Sequence, residues 1–183
     1  MPNWCSNDVV LKHKDPAMIE RAVKAYQAGR LLGEFIPCPA ELDEHDSPNR
    51  DEALSARFRE QYGATDWYNW RTQNWGTKWD IGGDSEVAEQ PDANTLELRF
   101  DSAWSPPIQG YGRLVELGFD IEAFYNEPGM AFCGSYTGAG DEEFDDCIDY
   151  GGWSANKVRT EIPELDQRFC ISEWLEEVEQ QEE

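Results

Sequence analysis

TLELRFD, residues 95–101, alternates apolar and polar positions so that Leu96, Leu98 and Phe100 share one face, the period-two pattern of a half-buried strand. Phe119, Ile121, Ala123 and Tyr125 repeat the pattern, and WCSNDVVLK at 4–12 reads as another short strand. Helical spacing appears elsewhere. Ile19, Ala22, Val23 and Tyr26 follow Asp15-Pro16, an N-cap and a first-turn proline whose missing N–H costs nothing there, and Gly29 ends the run. Ser105-Pro106 repeats that start and predicts a helix through Leu114 and Leu117 to Gly118; a further helix is expected near 51–61. The two prolines of FIPCP impose an extended segment. A strand is expected around 81–88, turned by Pro91-Asp92-Ala93-Asn94 into TLELRFD.

The element order β-α-(insertion)-β-β-α-β predicts an α+β fold of the ferredoxin-like, split βαβ type: a four-stranded antiparallel sheet with two helices on one face. Beyond it, 130–136 and 144–150 predict an extra hairpin joined by the acidic loop TGAGDEEFDD. Residues 162–180 predict one amphipathic helix carrying Leu165, Phe169, Trp174 and Val178. The chain reads as one domain over 1–183, with a core at 4–126, an insertion at 31–80 and a C-terminal hairpin and helix at 127–183.

The insertion ends in YGATDWYNWRTQNWGTKWD (62–80), which holds four of the eight tryptophans, Trp67, Trp70, Trp75 and Trp79. Their spacing predicts a short helical turn, a bend at Gly76 and entry into a strand near Lys78. A small sheet with helices on one face leaves the other bare, so the expected role of these aromatics is to cover that face. An aromatic platform for a partner and a ligand pocket are the other two readings.

Charge changes the picture most. The chain carries 38 acids against 15 bases, net −23, and residues 127–183 alone hold 16 acids against 3 bases. Such a surface repels phosphates, which argues against direct nucleic-acid binding, and attracts basic protein surfaces, including those that hold DNA. Acidity also serves solubility or adaptation to salt, and only five of the bases are lysine. Five cysteines without a CxxC pair suggest reduced, packed thiols. The sequence has no apolar run of about 20 residues and no signal-peptide start, so the expectation is a cytoplasmic protein with no membrane partner.

Two histidines, His13 and His45, leave almost no candidates for a metal site or a Ser-His-Asp or Cys-His pair. GSYTGAG (134–140) lacks the lysine of a phosphate loop and reads as a hairpin turn. The acids around that hairpin do not match the calcium-loop spacing. Neither a cofactor nor a metal is expected, and no catalytic residue stands out.

Taken in order, MPNWCSN, FIPCP, YGATDWYNWRTQNWGTKWD, AWSPP (103–107) and YNEPGMAFCG (125–134) resemble the YubB and Api92-like family. The resemblance covers most of 1–135. It implies a protein of phages and plasmids with a ferredoxin-like domain, and it brings no catalytic residues with it.

The leading expectation is therefore a non-enzymatic interaction protein that docks on a basic, nucleic-acid-handling host protein and blocks it by imitating phosphate charge. The candidate contacts are Asp141, Glu142, Glu143, Asp145, Asp146 and Asp149, with Glu173, Glu176, Glu177 and Glu179 on the last helix. Glu173, Glu176 and Glu177 lie at i, i+3 and i+4, close enough for one patch. A second reading is an enzyme or metal-dependent protein using a cleft between sheet and insertion, with Asp66, Trp67, Trp70, Arg71, Trp75, Lys78 and Asp80 around it. A third is an acidic protein adapted to high salt.

Overall fold

Strand β1 (Trp4–His13) lies inside a six-stranded antiparallel sheet, because its odd-numbered residues Val9 and Leu11 are apolar and its neighbours present matching apolar rows. β3 (Thr95–Ala103) pairs with it in the register Val9↔Leu98, and β4 (Phe119–Glu127) in the register Val9↔Ala123. The computed structural model describes residues 3–83 and 89–181. Short β2 (Glu89–Asp92) flanks β3, while β5 (Phe132–Ala139) and β6 (Glu142–Asp149) extend the sheet beyond β4. The strand order is β2-β3-β1-β4-β5-β6. The extra C-terminal hairpin continues the same sheet beyond β4, giving six strands.

Helix α1 (Pro16–Gln27) starts as predicted, with the Asp15 carboxylate accepting from the Ala17 N–H at 3.0 Å. The insertion contains α2 (Leu31–Phe35), α3 (Ala40–Asp43), α4 (Glu52–Tyr62) and α5 (Trp67–Asn74). α4 is capped by Asp51 and closed by Gly63 at φ 76°, a left-handed conformation that favours glycine. α6 (Ile108–Glu116) follows β3. After β6 come α7 (Ala155–Glu161), α8 (Pro163–Phe169) and α9 (Ile171–Gln181).

One apolar core joins the odd-numbered face of β1 and the matching faces of β3 and β4 to α1, α6 and the insertion. Trp70 and Trp75 sit in that same core, so the insertion thickens the helical side and does not cover the opposite face as expected. The opposite face is closed partly by α7–α9, whose Val158, Leu165 and Ile171 pack on Cys133 and Tyr150, with Phe124 and Ile148 beside them.

Local departures from the sequence pattern have physical reasons. Residues 75–79 form turns and bends, not a strand entered at Lys78; 80–83 are irregular, and 84–88 of the expected strand lie outside the described residues. Ser105 does not cap α6: its hydroxyl donates to the Gly76 carbonyl at 2.6 Å, and the helix begins after Pro107 without a side-chain cap. The expected helix at 162–180 breaks at Cys170, whose φ of 53° separates α8 from α9. The hairpin acids lie along strand β6 itself, with only Gly140 and Asp141 in the turn, so TGAGDEEFDD is mostly strand.

Candidate functional site

β6 forms one edge of the sheet, and every residue of it except half-buried Ile148 is exposed. Alternation divides its acids: Glu143, Asp145 and Asp149 share one face, while Glu142 and Asp146 share the other with Phe144, which is 62% exposed. Asp141 stands in the preceding turn. The first face is anchored by tyrosines. The Tyr125 hydroxyl donates to Asp145 at 3.0 Å and the Tyr136 hydroxyl donates to Glu143 at 2.9 Å. Burial, then the adjacent carboxylates, push both phenols above their ordinary range. The rings fit because β5 is glycine where they lie: a Cβ on Gly134 would strike the Tyr125 ring and the Asp146 carbonyl, and one on Gly138 would strike Tyr136. Asp149 turns back to accept the Gly151 N–H at 2.8 Å.

Basic side chains neutralise acids elsewhere. Arg21 and Arg30 hold Glu34, Arg57 holds Glu41, Arg71 holds Asp43, Arg99 and Arg168 hold Asp8, and Arg113 holds Glu116. Among the described residues no ion pair reaches Asp141 or β6. On α9, Glu173, Glu177 and Glu179 are exposed, whereas Glu176 is paired with Arg159 at 2.7 Å and its carboxyl is lowered by that bond. One of the four helix acids is therefore already partnered.

The residues expected around a cleft each have a local task. Asp66 is buried and caps α5 through the Asn69 N–H at 3.0 Å, and it also accepts from Ser47 and Thr65. Asp80 accepts from the Leu32, Gly33 and Ile81 N–H groups at 2.7–2.9 Å, while burial pulls its carboxyl upward. Arg71 lies over the rings of both Trp67 and Trp75, 5.0 and 4.9 Å from their centroids, and Trp70 meets Trp75 edge to face. So Trp67, Trp70, Arg71 and Trp75 come together as packing. Lys78 turns away from them and lies over Trp79 and Trp104.

That last contact belongs to a cluster the sequence reading did not single out: Trp4, Trp79 and Trp104, all exposed. The register Trp4↔Ala103 is what brings residues 4 and 104 to one corner, a signal that lies in the pairing of β1 with β3 and not in either segment alone.

An open cleft of about 870 Å³ lies between β1, β3 and α8, where Asp8, Arg99, Glu164 and Arg168 face one another. Among the described residues no group of three or more His, Cys, Asp or Glu is placed to hold a metal ion, and no helix is long and apolar enough to cross a membrane. All five cysteines are free thiols, Cys5 and Cys133 buried, Cys38 partly so, Cys147 and Cys170 exposed.

No protein-family model matches the chain. The uncharacterized protein YubB of Escherichia coli is 28% identical over 110 residues, 59% of this chain and 72% of YubB. The crystal structure of protein Api92 from Yersinia pseudotuberculosis aligns over 83% of this chain and 99% of its own, at 11% identity and a TM-score of 0.49. Through its YubB relative the chain is similar to the YubB and Api92-like family, as its motifs indicated.

Proposed function

We propose that this chain is a non-enzymatic interaction protein of a phage or plasmid, acting in the host cytoplasm. Its β6 edge, with the free acids of α9, docks on a basic, nucleic-acid-handling host protein and blocks it by offering carboxylates in place of phosphates. In this reading β2-β3-β1-β4 with α1 and α6 is a ferredoxin-like unit, and the hairpin and α7–α9 are an extension that carries the docking charge.

One observation supports this most. Among the described residues nine bases pair with acids of the insertion, β1 and the helices, and none pairs with Asp141, Glu142, Glu143, Asp145, Asp146 or Asp149. Unpaired carboxylates on an exposed edge keep their field for a partner, and such a field raises association rate and specificity.

The test is capture from host lysate at low salt with the full chain and with a triple variant, Asp141→Asn, Glu142→Gln and Asp146→Asn. Among the described residues no hydrogen bond ends on the carboxylate of these three acids, and the Asp146 carbonyl that accepts from Tyr125 is kept in the variant, so folding should persist. The expected result is retention of nucleic-acid-binding proteins that salt releases and that the variant fails to hold. Retention of the same proteins by the variant, or retention indifferent to salt, would leave acidity as mere adaptation.

A further inference from the structure

Three tryptophans left out of the core meet at one corner, and each comes from a different motif: Trp4 from MPNWCSN, Trp79 from the end of the Trp-rich stretch, Trp104 from AWSPP. They are 46%, 41% and 46% exposed. The Trp4 and Trp79 rings lie 5.6 Å apart, tilted by 39°. The Lys78 ammonium sits 4.2 Å from the Trp79 centroid and 5.8 Å from that of Trp104. These indole faces therefore already hold a cation.

Trp104 is presented under constraint. Its φ is 75°, a conformation bulky residues rarely adopt, which persists where surrounding bonds over-determine it. Its own N–H donates to the Asn3 carbonyl at 3.0 Å. On one side Thr77 Oγ1 both donates to the Ala103 carbonyl and accepts its N–H. On the other, Ser105 is held through Gly76 and Ser102. A carboxylate stands nearby on the same sheet face: Asp101 is exposed and accepts from Ser6, two residues along β1 from Trp4.

We propose that this corner binds a guanidinium: an arginine of the basic partner stacks on the indoles in place of the Lys78 ammonium, with Asp101 as its counter-ion. This rests on the proposed basic partner and names how one of its side chains is recognised. Indole faces attract cations, and a guanidinium is planar, weakly hydrated and able to stack while forking onto a carboxylate. The net charge of −23 opposes a polyanion at the same place and favours a cation.

The test titrates the full chain at low salt with octa-arginine and octa-lysine peptides, followed by calorimetry and indole fluorescence. The proposal expects octa-arginine to bind more tightly and to perturb the indole emission. Trp79→Ala and Trp4→Ala should each weaken octa-arginine by about fivefold and change octa-lysine little. Lys78→Ala, which removes the competing ammonium, should strengthen octa-arginine by about twofold. Unchanged octa-arginine affinity in both tryptophan variants, or weaker binding in Lys78→Ala, overturns the corner. The triple β6 variant reports separately on the acidic edge, since it should weaken both peptides alike. Loss there with unaltered tryptophan variants sinks the corner alone, and wild-type binding of neither peptide sinks both.

Discussion

The indole N–H of Trp75 donates to the Ile36 carbonyl at 2.9 Å, and that bond ties the Trp-rich stretch to the end of α2. Trp75 is 2% exposed, meets Trp70 edge to face and carries the Arg71 guanidinium on its own face. Trp75→Ala should therefore cost about 3–5 kcal/mol, through lost packing and an orphaned carbonyl. Trp79→Ala, at the exposed corner, should cost under about 1 kcal/mol. Urea denaturation of the two variants checks the contrast; equal costs would mean that the insertion is not built around Trp75.

Acid should loosen the start of α5. Burial works to raise the Asp66 carboxyl, but the Asn69 N–H and the Ser47, Thr65 and Asn69 side chains outweigh it and hold the carboxyl below its ordinary value of 3.8. A carboxyl lowered on folding contributes stability that is present above the unfolded value and disappears as pH falls through the lower folded value. Asp66→Asn should consequently lose less stability than the wild type as pH falls below about 4. Thermal melts across that range measure it; parallel acid limbs would remove Asp66 from the account.

The hairpin's glycines are read as seats for rings. Gly134→Ala forces a methyl group against the Tyr125 ring and the Asp146 carbonyl, so it should destabilise by about 1–3 kcal/mol and shift the near-ultraviolet tyrosine signal. Gly140→Ala, with open space around its Cβ position but a φ of 60°, should cost about 1 kcal/mol and leave that signal alone.

Much of this was legible in the sequence where local chemistry and tertiary demand agree. Asp15-Pro16 gave α1 its start, and the alternation of Leu96, Leu98 and Phe100 gave β3 its buried face. The α8–α9 break was not legible, since Cys170 adopts a left-handed conformation that sequence assigns to glycine or asparagine. Ser105 read as a cap because a serine before proline looks alike whether its hydroxyl serves its own helix or a carbonyl 29 residues away. The side of the sheet that the insertion covers, and the meeting of Trp4, Trp79 and Trp104, are long-range facts that no local window contains.

Thiol chemistry should follow exposure. Cys147 and Cys170 face solvent, whereas burial pushes Cys133 up to about 12 and Cys5 higher still, and burial together with Asp43 raises Cys38 to about 11. Iodoacetamide at neutral pH should label Cys147 and Cys170 in the native protein and the other three after unfolding. Peptide mass spectrometry reads the sites, and rapid native labelling of Cys5 or Cys133 would contradict the burial of that thiol.

The two rims of the sheet are guarded by different means. At β2 a shift of register and Pro91 deny a newcomer a regular ladder. At β6 the ladder is regular and the guard is electrical. Two copies meeting there would set carboxylate against carboxylate along the whole seam, so crowding this protein should not grow it into fibrils. Neutralising the β6 acids, by low pH or by substitution, opens the one rim along which the sheet could continue from molecule to molecule.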